Sequence, residues 1–190
     1  MVFPPRCVCC DARGVPLCRG CAEALEPAAP RDPPASLDAV WSLVDYDGGG
    51  RQLVGSLKYD GRRDAIRVLG TAMARLPDRR ADVVTWAPTS PSRRLDRGFD
   101  QARLLAAHVA RALGIPLRGL LVRPEGHHQT GSDRATRLTG PRFTPRRVRA
   151  ARILLVDDVI TTGSTLSAGA TALRLGGATE VTGLTLASVR

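Results

Sequence analysis

The sequence predicts an α/β fold: a parallel sheet flanked by helices, with a small cysteine-bound ribbon ahead of it. Three observations predict this. Short apolar runs alternate with helix-period segments, the pattern of strands joined by helical crossovers. Aromatic residues make up only 4%, so the core must rest on Leu, Val, Ile and Ala, which suit a parallel sheet covered on both faces. All five cysteines fall between positions 7 and 21, apart from the rest of the pattern.

At 190 residues the chain is long enough for one full domain and a small appendage. A chain of this size removes roughly 70% of its unfolded surface from water. Hydrophobic residues at 43% and charged residues at 24% are ordinary globular usage. The formal net charge is +10, and Lys58 is the single lysine beside 27 arginines. Such a balance calls for an anionic partner: nucleic acid, a phosphorylated metabolite or a membrane surface. No stretch approaches the roughly 20 apolar residues of a membrane span. The opening Met-Val-Phe-Pro-Pro-Arg-Cys has no apolar core of a secretory signal. A cytoplasmic protein without membrane insertion is therefore expected. There cysteines stay reduced, which favours metal over disulfides.

Cys7-x2-Cys10 and Cys18-x2-Cys21 are two knuckles separated by seven residues. Each bends the backbone so that two thiolates converge, and two knuckles supply the tetrahedral sulfur set zinc prefers. Four protein ligands leave no open position, so the expected role is structural. Cys9 either replaces Cys10 as a ligand or stands as a free thiol beside the site.

A short helical phrase, Ala22–Leu25, follows. Glu26–Ser36 holds four prolines and reads as a linker. The expected organisation is a zinc ribbon with its linker over residues 1–36 and the main domain over 37–190. Val40–Tyr46 reads as a strand, ended by Asp47-Gly-Gly-Gly. Gln52–Lys58 and Asp64–Leu76 read as helices; in the second, Ala65, Val68, Leu69, Ala72, Met73 and Leu76 share one helical face. Asp82–Ala87 is a buried strand. Phe99–Leu113 is an amphipathic helix ended by Gly114, with Pro116 shortly after. Leu120–Arg123 reads as a strand, and the polar, basic Pro124–Pro145 as a long loop, a length usually tied to function. Ile153–Val156 is a buried strand, Leu166–Leu175 a helix closed by Gly176-Gly177, and Val181–Val189 a final strand.

The segment Ile153-Leu-Leu-Val-Asp157-Asp158-Val-Ile-Thr161-Thr162-Gly163-Ser164-Thr165 carries the chemistry. Ligands of parallel α/β sheets bind beyond the carboxyl ends of strands, where Asp157 and Asp158 are expected. The small residues after them lead into a helix, whose first amides and partial positive charge suit an anion. Gly163 lets the backbone approach a phosphate closely, and the Thr161, Thr162, Ser164 and Thr165 hydroxyls can donate to it. Adjacent carboxylates would repel a phosphate but suit ribose hydroxyls and a bridging Mg²⁺. Sugar, phosphate and metal together point to a phosphorylated ribose. A P-loop requires Gly-Lys-Ser/Thr, and this segment has no lysine.

Val156–Thr165 resembles the phosphoribosyl pyrophosphate signature of type I phosphoribosyltransferases. The chain as a whole resembles the ComF family, named for natural competence, through its cysteine knuckles, Leu57-Lys-Tyr-Asp-Gly61, Arg94–Gln101, Gln129–Arg137 and the signature. The resemblance implies a type I phosphoribosyltransferase-like sheet. It implies that Asp157 and Asp158 are the catalytic acids contacting ribose hydroxyls with Mg²⁺, and that Thr161–Thr165 cradle the 5′-phosphate. It places pyrophosphate on the loop Pro88–Gln101, with Arg93, Arg94, Arg97 and Gly98; guanidinium groups pair phosphate oxygens bidentately. Two departures stand out. The family usually has Asn where Asp100 stands, and its Arg-x-x-Asn element appears as Arg137-Leu-Thr-Gly140. His127 and His128, in the same long loop, read as exposed loop residues rather than a general base.

Three functions are open at this level. The first is transfer of phosphoribose from phosphoribosyl pyrophosphate, with Mg²⁺, to a nitrogen acceptor. The second is non-catalytic binding of single-stranded DNA together with DNA-uptake proteins. The third is sensing of phosphoribosyl pyrophosphate without turnover. Neither the acceptor nor the oligomeric state is legible in the residues.

Overall fold

The computed structural model describes residues 4–59, 64–77, 80–124, 141–148 and 151–190. The elements run α1 (Arg19–Glu23), β1 (Ala39–Asp45), α2 (Gly48–Tyr59), α3 (Asp64–Met73), β2 (Val83–Trp86), α4 (Pro91–Arg97), α5 (Gln101–Leu113), β3 (Leu121–Val122), β4 (Thr144–Pro145), β5 (Arg152–Ile160), α6 (Ser164–Leu175) and β6 (Glu180–Ser188). The main sheet has the order β1-β6-β5-β2, and every pair in it is parallel. The expected parallel sheet flanked by helices is thus the observed fold.

Both faces of the sheet are covered, and the strands show it in their alternation. Leu154, Val156, Leu184 and Leu186 face a cluster with Leu53, Leu57, Ile66, Leu69, Met73 and Leu105 from α2, α3 and α5. Ile153, Leu155 and Val181 face the opposite way, onto Leu166, Ala170 and Leu173 of α6. Successive strand side chains point to opposite faces, so an apolar run such as 153–156 serves two cores at once. Each fully buried Leu or Ile there contributes roughly 1.5–3 kcal/mol.

Several boundaries differ from the sequence reading. β5 was expected to stop at Val156 but runs to Ile160. α5 begins at Gln101 because Asp100 caps it, accepting a bond from the Arg103 amide. Pro91–Arg97, expected as loop, is helical, with proline at the first position, where its missing N–H costs nothing. Within the expected long loop, Thr144–Pro145 pairs antiparallel with Leu121–Val122; residues 125–140, including His127, His128 and Arg137–Gly140, lie outside the described part.

The proline-rich segment after α1 forms no element of its own, yet it is not a free spacer. Pro27 bridges Val44, the Asp45 amide donates to Glu26 O at 2.9 Å, and the Asp38 amide donates to Val181 O at 2.9 Å. The cysteine ribbon is attached to the main body as well. Val8 is buried in the first cluster, Leu17 and Leu25 pack against it, and Gln52 Nε2 donates to Cys9 O at 2.6 Å.

Candidate functional site

The site lies where β2 and β5 part. Their pairing ends at Trp86 opposite Val156, and the last bond across it runs from the Ala87 amide to Val156 O, 2.9 Å. On its other side β5 stays paired with β6 as far as Ile160. The residues of β5 beyond Val156 therefore lose their neighbour on one side only. Asp157 and Asp158 occupy that opening.

A cavity of about 290 Å³ fills it, lined by Asp157, Asp158, Thr161 and Thr165 on one wall and by Pro88, Thr89, Asp100 and Gln101 on the other. Tyr46, Lys58 and Arg123 complete the lining. The location fits the rule that ligands sit outside the carboxyl ends of parallel strands.

Lys58 and Asp158 form an ion pair across the cavity, Nζ to Oδ2 2.8 Å, with both side chains about one-fifth exposed (19% and 22%). The buried Gln101 holds this arrangement, its Nε2 donating to the carbonyl of Leu57 at 3.3 Å. Asp157 Oδ1 accepts the Asp158 amide at 2.8 Å. Burial first, and the Asp158 carboxylate second, push Asp157 well above the usual carboxylate range; the ammonium of Lys58 opposes the shift. Burial also raises Asp100, against the pull of amide donors from Arg103 and Thr89.

The predicted anion loop is ordered by its own short bonds. Thr162 Oγ1 donates to Ser164 Oγ at 3.2 Å and accepts the Ser164 amide at 3.4 Å. Gly163 takes φ +79°, a left-handed conformation that strains any L side chain. Thr161 and Thr162 are exposed, Gly163 is buried, and Ser164 and Thr165 are half-buried. The first amides of α6, which follow, have no intrahelical acceptor.

The loop Pro88–Gln101 borders two cavities, its ends Pro88, Thr89, Asp100 and Gln101 lining the first. Arg94 and Gly98 line a second cavity of about 490 Å³, together with Trp86, Phe99, Arg103 and Leu121. It shares Pro88, Thr89, Asp100 and Arg123 with the first. The Arg103 guanidinium lies 5.7 Å from the Trp86 ring centre. The side chains of Arg93 and Arg97 lie outside the described part of the molecule. The arginine on the first cavity is Arg123, which sequence reasoning passed over. Its signal was position: it directly follows β3, at the carboxyl edge. Lys58 had a signal too, as the single lysine within a family-like block. Tyr46 had none beyond its place after β1.

The side-chain sulfurs of Cys7, Cys10, Cys18 and Cys21 all lie within 4.8 Å of one another. Cys10 Sγ and Cys18 Sγ are 3.7 Å apart, the edge of a sulfur tetrahedron with Zn–S bonds of about 2.3 Å. The group could hold a metal ion. The Cys18 amide donates to Cys7 Sγ at 3.4 Å. Burial raises the Cys7 thiol, but amide donors from Cys10, Cys18 and Cys9 prevail and bring it to about 6. Cys9 is outside the group; burial and the neighbouring sulfurs push it up to about 11.

No second group of three or more metal-binding side chains gathers among the described residues. A hard cation at Asp157 and Asp158 would therefore take one or two carboxylate oxygens and complete its shell with water and ligand phosphates, as Mg²⁺ does. The acid pair fits that role, since two adjacent carboxylates on one cavity supply the oxygen donors a hard cation takes. No helix among the described residues is long and apolar enough to cross a membrane.

Residues 100–190 match the phosphoribosyl transferase domain family. No curated protein matches the chain. Among solved structures, the chain is similar to the allosteric regulatory enzyme of purine biosynthesis, at 31% identity over 65% of this chain and 26% of that one, TM-score 0.47. It is similar to the glutamine phosphoribosylpyrophosphate amidotransferase of B. subtilis, at 31% identity over 64% of this chain and 26% of that one, TM-score 0.46. It is also similar to the adenine phosphoribosyltransferase of Leishmania tarentolae, at 20% identity over 71% and 74%, TM-score 0.41. The chain thus spans about a quarter of the length of the first two structures. The acid pair and its loop lie inside the matched segment, and this chain has a phosphoribosyltransferase-like parallel sheet flanked by helices, of which residues 100–190 match the phosphoribosyl transferase domain.

Proposed function

We propose that this chain is a ComF-like phosphoribosyltransferase-type protein that binds phosphoribosyl pyrophosphate with Mg²⁺ and transfers phosphoribose to a nitrogen acceptor. One observation carries the reading: Asp157, Asp158, Thr161 and Thr165 share the wall of one cavity at the open edge of β5. In this reading Asp157 and Asp158 accept hydrogen bonds from the ribose hydroxyls. The Thr161–Thr165 loop donates to the 5′-phosphate. Lys58 pairs with Asp158 and orients its carboxylate. Arg123, at the border of both cavities, faces the pyrophosphate, with Arg93, Arg94, Arg97 and Gly98 on the neighbouring loop. Mg²⁺, when bound, supplies charge neutralisation for the pyrophosphate. The acceptor nitrogen forms a bond to C1′, the C1′–O bond breaks, pyrophosphate leaves with that electron pair, and the nitrogen's proton passes to solvent. Preorganised donors around the departing charge lower the barrier. The four cysteines hold a structural zinc ion, and we place the protein in the cytoplasm, where thiolates stay reduced.

Calorimetric titration of phosphoribosyl pyrophosphate with and without Mg²⁺ tests the reading. Metal-dependent binding that disappears in Asp157→Asn is the expected result, and pyrophosphate release with candidate amines then shows turnover. No binding at millimolar ligand in either condition would sink it.

The second cavity favours another reading, non-catalytic binding of single-stranded DNA during DNA uptake. Trp86 and Phe99 are aromatic and Arg94 and Arg103 cationic there, the combination that stacks bases and tracks a backbone, on a chain of net charge +10. Affinity for an oligonucleotide that falls steeply between two salt concentrations, without sugar-phosphate binding, would select it.

A further inference from the structure

The loop Thr161–Thr165 is not built by β5 and α6 alone. Arg31, from the proline-rich segment, reaches it across 130 positions. Its Nη1 and Nη2 donate to the carbonyl of Thr161 at 3.3 and 3.2 Å, and Nη1 also donates to Ser188 Oγ at 3.2 Å. Pro34, three residues on, is seated against Gly163: a Cβ on that glycine would stand 2.4 Å from Pro34 Cγ. The segment is itself anchored on both sides of Arg31. The Ala29 amide donates to Asp45 Oδ1 at 3.3 Å, and Arg174 Nε donates to Ser36 O at 3.0 Å. It is a strap laid across the back of the loop.

A trans peptide is planar, with its C=O and N–H pointing in opposite directions. Fixing the Thr161 carbonyl on a guanidinium therefore fixes the Thr162 N–H on the side facing away from Arg31. Turning that peptide over would break two charge-assisted bonds, each stronger than a neutral one. Pro34 blocks the other route of relaxation, since Gly163 cannot shift towards it. The guanidinium also adds positive potential behind a loop read as an anion cradle.

We infer that Arg31 is a positioning residue for the anion loop, with Pro34 as its stop, and that recognition of a phosphomonoester depends on both. This rests on the reading of Thr161–Thr165 as the 5′-phosphate site. The strap sets the direction of the loop's first amide before ligand arrives, so less ordering accompanies binding.

The test uses the full, metal-loaded chain with Arg31→Ala and Arg31→Lys, titrated separately with ribose 5-phosphate and with magnesium pyrophosphate. Arg31→Ala is expected to weaken ribose 5-phosphate about 10-fold or more, to leave pyrophosphate within about twofold, and to melt within about 3 °C of the parent. Arg31→Lys keeps the charge without the fork and regains part of the loss; it also carries the test if the alanine variant does not fold. Unchanged ribose 5-phosphate affinity in the alanine variant overturns the inference. Equal loss of both ligands also overturns it, by showing a general structural role. A parent protein that binds no ribose 5-phosphate overturns the functional reading beneath it.

Discussion

Lys58 Nζ stands 2.8 Å from Asp158 Oδ2, joining α2 to β5 across a separation of 100 positions. The chain uses arginine at 27 of its 28 basic positions, yet a lysine occupies this one. An ammonium is a compact point charge, whereas a guanidinium is a broad planar fork. In a cavity already lined by Asp100, Asp157 and Asp158, a compact cation pairs with one carboxylate and occupies little of the space.

Removing either member of this pair strands the other in a partly buried place. Lys58→Met should cost about 1–3 kcal/mol, and Asp158→Asn alone should also destabilise. The double variant should recover part of the sum. Urea unfolding of the four proteins should give a coupling energy of about 0.5–3 kcal/mol; additivity would mean that the pair contributes nothing.

Asp157 holds its proton more tightly in the folded chain than in the unfolded one. Its effect on stability therefore has a definite sign. As pH rises from about 4, where an unfolded aspartate ionises, towards the raised folded value, the native state loses stability. Asp157→Asn removes this cost and keeps an oxygen for the Asp158 amide. Its melting temperature should exceed the parent's by on the order of 2–4 °C at pH 7 and match it more closely near pH 4. The same substitution should abolish metal-dependent ligand binding. A melting difference that does not grow with pH would contradict this account.

Asp100 uses both carboxyl oxygens, Oδ1 for the Arg103 amide and Oδ2 for the Thr89 amide, each at 3.2 Å. An aspartate at this position, where the pattern the sequence resembles has asparagine, thereby acquires a physical reason. An amide side chain has one oxygen, and its nitrogen would face an N–H. A carboxyl keeps acceptor capacity in either protonation state, so this loss outweighs the relief of a buried charge. Asp100→Asn should cost about 1 kcal/mol, read as a lower melting temperature and faster amide exchange around Thr89.

The cysteine geometry separates Cys9 from Cys10. Cys10→Ser should purify with much less than one equivalent of zinc and a lower melting temperature. Cys9→Ser should retain about one equivalent, because the Cys9 sulfur lies outside the group of four and its backbone contacts, the carbonyl to Gln52 among them, survive the substitution. Metal analysis by mass spectrometry decides; equal loss from both variants would reassign the ligand set.

Features whose cause lies within a few positions of chain were legible early. The two Cys-x2-Cys knuckles, the helical period that begins at Ala65 and the apolar run before Asp157 each depend on near neighbours, and the parallel fold followed from them; the expected helix to Leu76 stops at Met73, and Val68 of its expected apolar face is exposed. Element ends were less legible. β5 runs past Val156 because β6 continues beside it, a fact of pairing and not of local preference.

By itself the sequence determined which chemistry was present: thiolates at knuckle spacing, an acid pair, and a small-residue turn entering a helix. Only the tertiary structure decided what faces that chemistry. Lys58 on Asp158, Gln101 on Leu57, and Arg31 with Pro34 behind Thr161 and Gly163 all join distant positions, and Arg123 instead of Arg94 borders the first cavity. These contacts arise from packing helices and a strap onto one sheet, and the distance between such groups is set by that packing and not by their separation along the chain.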